Sequence, residues 1–472
     1  MNKPAGLRTR KSERGQTIAL VAVAITALLA MAALAIDVVS LYVARAEAQR
    51  AADAAALAGA KMFVSSGLTS LPTSGGPISA SDVCTTGGTA AANKLAAAVT
   101  SQNLIAGQPA TVDSVTCTVG EQRNPQITVT VRSGSLPGFF SRIWNRPGSI
   151  ARATATAEAY NSAGMSPPVS VGGVKPWLLP NCYTPSSANW GTAGDCASGL
   201  PKFINSDGTV NNSTPSFAGE LMELTRIDCT GGAGPGCGAR PNTGSFYSMD
   251  IPINPPSPVC PSGDVPSCDY NPDVHNYSDN IACANPYGIQ CGQTIAGGGS
   301  AVTLFATGTT GGGRRGRGGY ASQTTHATRC LIHADDDGTE QGQDGFTNGS
   351  APVMIRGTGV DIDNYNNPNQ DLQDVSNLSR SDSVVTVPLY DGMNPLCDTV
   401  GNCGTAATVV GFLQLGITCT VPGGGTGCQA SPAAGTPQVE AVILNVVGCA
   451  PGASGTPVTG TGTSPVAVRL IH

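Results

Sequence analysis

The sequence predicts an α+β protein. A long N-terminal transmembrane helix comes first, then a small α/β region, then a β-rich domain containing disulfides. Three observations predict this order. Residues 14–61 run through an uncharged apolar segment into an Ala-rich stretch, with no Pro and one late Gly. Runs of alternating β-branched residues follow from Thr111 onward. All 16 cysteines lie at or beyond Cys84, in Gly- and Pro-rich surroundings.

At 472 residues the chain has room for two or three domains. Gly (61) and Pro (34) make up about a fifth of it and only 12% is charged, which favours turns and short strands over long surface helices. With 40% hydrophobic residues and a net charge of -6, charge-driven disorder is excluded. A mildly acidic chain is also not built to wrap nucleic acid.

The N-terminal arm, 1–16, carries Lys3, Arg8, Arg10, Lys11 and Arg14 against Glu13. Thr17 to Ile36 then runs without a charge, long enough to span about 30 Å of hydrocarbon as a helix. Basic residues before the span place the N-terminus in the cytoplasm and export the rest. Ala33-Leu34-Ala35 also fits a signal-peptide cleavage site. Retention is expected instead, because the apolar character resumes at Val38-Val39 and Leu41-Tyr42-Val43. Within the span, Ala22, Thr26, Ala30 and Ala33 make a small-residue face that admits another helix. Beyond it, Ala is the strongest helix former, and the pairs Glu47–Arg50 and Arg50–Asp53 sit at i, i+3. One helix over 17–64 is therefore expected, roughly 70 Å long at 1.5 Å per residue. Its outer half needs a covering domain or partner helices.

Residues 65–88 read as a loop and Ala90–Gln102 as a short helix. Strands are predicted at Thr111–Val119, Gln126–Arg132 and Ser149–Tyr160, with a short amphipathic helix over Leu136–Trp144. A long helix followed by a small antiparallel sheet is a pilin-like layout over 65–160. The Gly- and Pro-bearing stretch 161–174 reads as a linker. From 175 to 472 the expected strands are Ala301–Ala306, Ala327–His333, Val384–Leu389, Ala407–Thr418, Val439–Val447 and Val466–Ile471. Cysteines at short separations, such as Cys283 and Cys291 or Cys397 and Cys403, suggest local disulfides in an oxidising compartment, with the pairing open. Zinc is disfavoured because no C-x2-C pair occurs and there are only four His.

At residues 14–61 the sequence resembles the N-terminal segment of TadG-like proteins of the tight-adherence (Flp) pilus assembly system. The resemblance rests on Arg14-Gly15-Gln16, the Ala/Leu span, Ile36-Asp37-Val38, the run Leu41 to Gln49 and the run Ala51 to Ala60. The strand Ala151–Ala159 is similar to the family's Ala/Thr-rich strand, and Val384–Asp391 followed by Val409–Gln414 more weakly so. It implies a membrane protein of pilus biogenesis or anchoring. Two departures stand out. Pilins cut by prepilin peptidase usually carry Glu at the fifth position after the cleaved Gly; counted from Gly15, that position is Leu20. Asp374-Val-Ser-Asn-Leu-Ser379 lacks the spacing of the metal site found in larger family members, so that site is not carried over.

Candidate sites are few. His333, Asp335 and Asp337 with Gly338 and Asp344 follow the ligand spacing of a calcium loop, with Asp335, Asp337 and Asp344 as metal candidates. His at position 1, Asp at position 12 and no flanking helices favour a solvated acidic turn over a true calcium loop. The arginine/glycine stretch Gly311–Tyr320 reads as a flexible loop in an exported chain, able to meet an acidic partner or surface polysaccharide. His275, His326 and His333 have no catalytic partner set, and no nucleophile elbow, zincin motif or phosphate loop occurs. No enzyme and no resident cofactor are expected. Asp37, Arg45, Arg50 and Asp53 are the candidate helix-docking residues, which would fix the register of α-helical pairing with another pilus component. A surface-tethered or secreted adhesin or carbohydrate-binding module, exported by the same helix, is the competing reading.

Overall fold

The computed structural model describes residues 14–65, 83–87, 90–118, 124–136, 148–161, 170–183, 201–211, 220–227, 244–253, 276–296, 300–304, 320–332, 344–346, 355–357, 383–392, 395–397, 403–421, 438–449 and 466–471. Helix α1 (Arg14–Ser65) is unbroken, as its Ala content and lack of Pro require. It stops just before Gly67. Its first half is apolar and exposed, from Ile18 to Val43, and is long and apolar enough to cross a membrane. Its second half changes character. Ala44, Ala48, Ala51, Ala52, Ala55, Ala56, Ala60 and Phe63 recur at helical spacing and are buried.

A four-stranded antiparallel sheet covers that buried stripe. It is built from β3 (Thr111–Thr118), β4 (Gln126–Arg132), β5 (Arg152–Asn161) and β16 (Val466–Ile471), in the order β16-β5-β4-β3. The period-2 pattern decides the faces. Ile127, Val129 and Val131 of β4 and Ala153, Ala155, Ala157 and Ala159 of β5 are buried with the Ala residues of α1 in one core. On the opposite face Thr128 meets Thr156 (2.8 Å) and Thr130 meets Thr154 (3.0 Å) across the strands. Small residues on both partners bring helix and sheet close. A Cβ at Gly59 would lie 2.5 Å from Ile127 Cδ1. Helix α2 (Ala91–Gln102) packs beside α1 and runs back down it, and Cys84–Cys117 ties the segment before it to β3. A tight hairpin, β1 (Leu104–Ile105) and β2 (Gln108–Pro109), follows, with Ala106 and Gly107 at positive φ (50° and 77°), as a two-residue primed turn demands.

The larger sheet closes on itself. Strands β6 (Trp177–Pro180), β7 (Leu221–Arg226), β8 (Ser245–Asp250), β13 (Val384–Tyr390), β14 (Ala407–Val421) and β15 (Gln438–Gly448) pair in the ring β6-β13-β14-β15-β7-β8, and β8 returns to β6. The β6–β13 and β7–β8 pairs are parallel and the others antiparallel. A closed six-stranded barrel leaves no free edge among these strands. Alternating side chains on one face of these strands, among them Trp177, Leu224, Phe246, Val387, Leu413, Leu415 and Ile443, form one buried core. Helices α3 (Asn276–Ala282) and α4 (Tyr320–Leu331) share that core through Tyr277, Ile281, Ala327 and Leu331. Short strands β9 (Thr294–Ile295) and β10 (Thr303–Leu304) extend β14 and β8, and β11 (Asp344–Phe346) pairs with β12 (Ile355–Gly357). Gly411 and Gly448 face each other in the β14–β15 register. A Cβ at Gly411 would meet the Val447 carbonyl at 2.6 Å and Ile204 at 2.9 Å.

Several sequence expectations are corrected. Val466–Ile471 is a strand, but it belongs to the helix-bearing sheet, 305 residues after β5 ends, and not with the barrel. Ala327–Leu331 is helical. Its Thr residues favour strand in isolation, yet Thr324, Ala327, Thr328 and Leu331 are buried at helical spacing, and Thr328 Oγ1 donates to the Thr324 carbonyl (2.7 Å). Of the predicted 301–306 strand, Thr303–Leu304 forms and 301–302 do not, while 305 and 306 lie outside the described residues. The end of the expected linker is core: Val171 and Val174 are buried and bridge to Ile289 and Thr386. Cys397 pairs locally with Cys403, but Cys291 pairs with Cys449, not with nearby Cys283. Cys182, Cys283, Cys330 and Cys419 are disulfide-bonded as well. The amphipathic stretch after Leu136 and the arginine/glycine loop before Tyr320 lie outside the described residues.

Candidate functional site

The outer half of α1 emerges from the apolar span with a polar set on its flanks. Glu47 Oε2 accepts the backbone N–H of Ala106, at the tip of the β1–β2 hairpin (2.7 Å). Its other oxygen lies 4.0 Å from Nη2 of the exposed Arg50, one turn away, while Glu47 itself is half-buried. Gln49 Nε2 donates to Asp53 Oδ1 (2.8 Å) and to the Thr154 carbonyl on β5 (3.3 Å). Glu47 and Gln49 thus clamp the helix to the turn beside α2 and to β5. The sequence reading placed Glu47 only in an i, i+3 pair with Arg50 and gave neither residue a tertiary contact. The signal for such a contact was position: each sits next to the buried stripe of Ala44, Ala48 and Ala51.

The four predicted docking residues separate into two pairs. Arg45 and Arg50 are exposed. Asp53 is half-buried and held by Gln49. Asp37, one turn beyond Ala33, is buried like Ala33 while their neighbours are exposed. The Ser40 hydroxyl donates to the Asp37 carbonyl (2.8 Å).

Of the three metal candidates, only Asp344 falls among the described residues, where it opens β11 opposite Gly357. Asp335 and Asp337 lie outside them. Among the described residues no group of three or more His, Cys, Asp or Glu is placed to hold a metal ion. His275 and His333 are also outside the described residues, and His326 lies on α4.

Acidic groups on the barrel have perturbed protonation for structural reasons. Burial pushes the Glu220 carboxyl up to about 7, although the Tyr183 hydroxyl donates to it. Glu223 faces Glu440 across the β7–β15 pair, and burial, then the like charge of Glu440, raises it. The Thr418 hydroxyl donates to Glu440 Oε1 (3.0 Å). Lys61, near the top of α1, is lowered by burial.

Residues 15–62 match the family described as putative Flp pilus-assembly TadE/G-like. That segment is similar to TadE/G proteins. The match coincides with α1, from its start in the apolar span to the last buried turns under the sheet. The Tad-like segment therefore includes both the stretch long and apolar enough to cross a membrane and the platform on which the small sheet sits. No curated protein and no solved structure matches the chain.

Proposed function

We propose that this is a single-pass, non-catalytic envelope protein acting in assembly or anchoring of a tight-adherence, Flp-type pilus. In this reading α1 crosses the bacterial inner membrane with its N-terminus in the cytoplasm, and the sheet and barrel lie in the periplasm or outside the cell. The observation that carries it is the Tad-like match over one unbroken helix whose apolar half is exposed and whose Ala-rich half is buried by its own sheet. Disulfides at all ten described cysteines fit an oxidising compartment. Leu20 in place of a carboxylate supports a helix that stays in the membrane uncut.

Other pilus-assembly components would meet the helix at Arg45 and Arg50, the exposed members of the docking set. Asp37 and Asp53 would set the helix's own packing. A photo-crosslinking residue at 45 or 50, in cells that make the pilus, should trap inner-membrane assembly proteins, and deleting the protein should abolish or weaken piliation. Normal piliation without it, together with no adducts from either position, would overturn this reading and favour the adhesin.

A further inference from the structure

Outside the apolar span, the large hydrophobic side chains exposed among the described residues are Leu104 (56%) and Ile150 (52%). Both lie at one end of the small sheet. The direction of that end follows from contacts with α1. Going up the helix from Gln49 to Gly59 matches going up β5 from Thr154 to Ala157, since Gln49 bonds Thr154 and Gly59 touches Ile127, the register partner of Ala157. Going down β5 from Thr154 to Ile150 therefore leads toward the span. Four extended residues cover roughly 13 Å, the rise of about nine helical residues, which puts Ile150 level with about Ser40. Helix α2 descends likewise. Ala92 lies beside Gly59, and the hairpin that follows reaches Glu47 at Ala106, next to Leu104.

Ile150 is thus level with the exposed Leu41, Tyr42 and Val43, and the hairpin bearing Leu104 stands about one helical turn above them. There an apolar helix passes into the headgroups, and an aromatic side chain suits them. The same end of the sheet is cationic. Arg132 and Arg152 sit opposite each other, partly exposed, and share the single carboxylate of Asp113 at 3.5 and 3.3 Å. Arg45 and Arg50 are exposed on the adjacent helix. Isolated apolar side chains flanked by long cationic ones, at headgroup depth, match an anionic lipid surface.

We infer that this end of the sheet, through Leu104, Ile150, Arg132 and Arg152, rests on the anionic phospholipid headgroups of the membrane that α1 crosses. The inference rests on reading α1 as a membrane span. The contact makes the bilayer a second support for the head, so the sheet and the barrel joined to it are held at a set height and tilt.

The test uses the full chain in nanodiscs of phosphatidylcholine alone or with phosphatidylglycerol. A spin label carried on a non-natural residue is placed at 28, 104, 150 or the distal, exposed position 118, and its access to a water-soluble nickel chelate is measured. At 104 and 150 access should fall several-fold in the anionic discs relative to 118. High salt should restore it by screening, and so should the double change Arg132→Glu with Arg152→Glu. Labels at 104 and 150 as open as 118 in anionic discs, with 28 shielded by lipid, would overturn the docking and leave the span intact. A label at 28 that is open to the chelate would overturn the span itself, and the docking with it.

Discussion

Arg469 and Glu158 show how one late residue holds an early fold together. They are direct register partners across β16 and β5, with Arg469 Nη2 2.6 Å and Nε 2.7 Å from Glu158 Oε1. The guanidinium also lies 4.5 Å above the Tyr160 ring. Glu158 is buried (5% exposed), so removing its partner leaves a desolvated charge. Arg469→Ala should cost about 3 kcal/mol, the lower end of the range for breaking a buried pair, because Arg469 itself keeps some solvent contact. Adding Glu158→Gln should recover most of the loss. The denaturation midpoint of the full chain in detergent measures both. Neither residue could be paired from sequence, since nothing local links positions 311 residues apart.

At the scale of elements, periodicity read well wherever an element has one face toward a core. The ladder Gln126–Arg132 alternates and forms as read, and α1 follows from its Ala content and unbroken apolar run. Helix α4 failed that reading because it is buried on most sides, so its Thr-rich sequence carries no polar stripe to betray the helical period. The α1–sheet contact makes a prediction at this scale. Gly59→Leu should overpack against Ile127 and cost about 1–3 kcal/mol. Gly59→Ala should change stability by less than about 1 kcal/mol, because the gain in helix propensity offsets a small shift of the Ile127 methyl end. Ile127→Val should relieve the Leu variant. Thermal unfolding of the four proteins checks the set, and a Gly59→Leu protein as stable as the parent would mean the helix is not seated this closely.

For the whole molecule, long-range links decide the architecture. Cys291 and Cys449 are 158 residues apart in sequence, whereas Cys397 and Cys403 are 6 apart. If loop-closure entropy dominates, removing the long-range bridge should destabilise by about 3 kcal/mol more than removing the short one. The double variants Cys291→Ala/Cys449→Ala and Cys397→Ala/Cys403→Ala, compared by denaturant midpoint, test that; equal losses would assign the effect to native packing. The return of Val466–Ile471 to β5 adds a second long closure, so the chain's last strand completes the sheet its first helix organises.

The docking set was legible as residue types on one helix, but the division into exposed Arg45 and Arg50 and buried or half-buried Asp37 and Asp53 was not. Burial depends on what packs against the helix, and a pattern of charges does not say which side the sheet takes. The sequence by itself determined the membrane-length helix, its Ala-rich continuation, the strands with one wet face and the disulfide-forming character of the rest. Each is set by local composition and periodicity. Only the tertiary structure decided the strand order, the barrel closure, the disulfide partners and the end of the small sheet that faces the span. Those depend on contacts between residues far apart in the chain, whose energies no local pattern records.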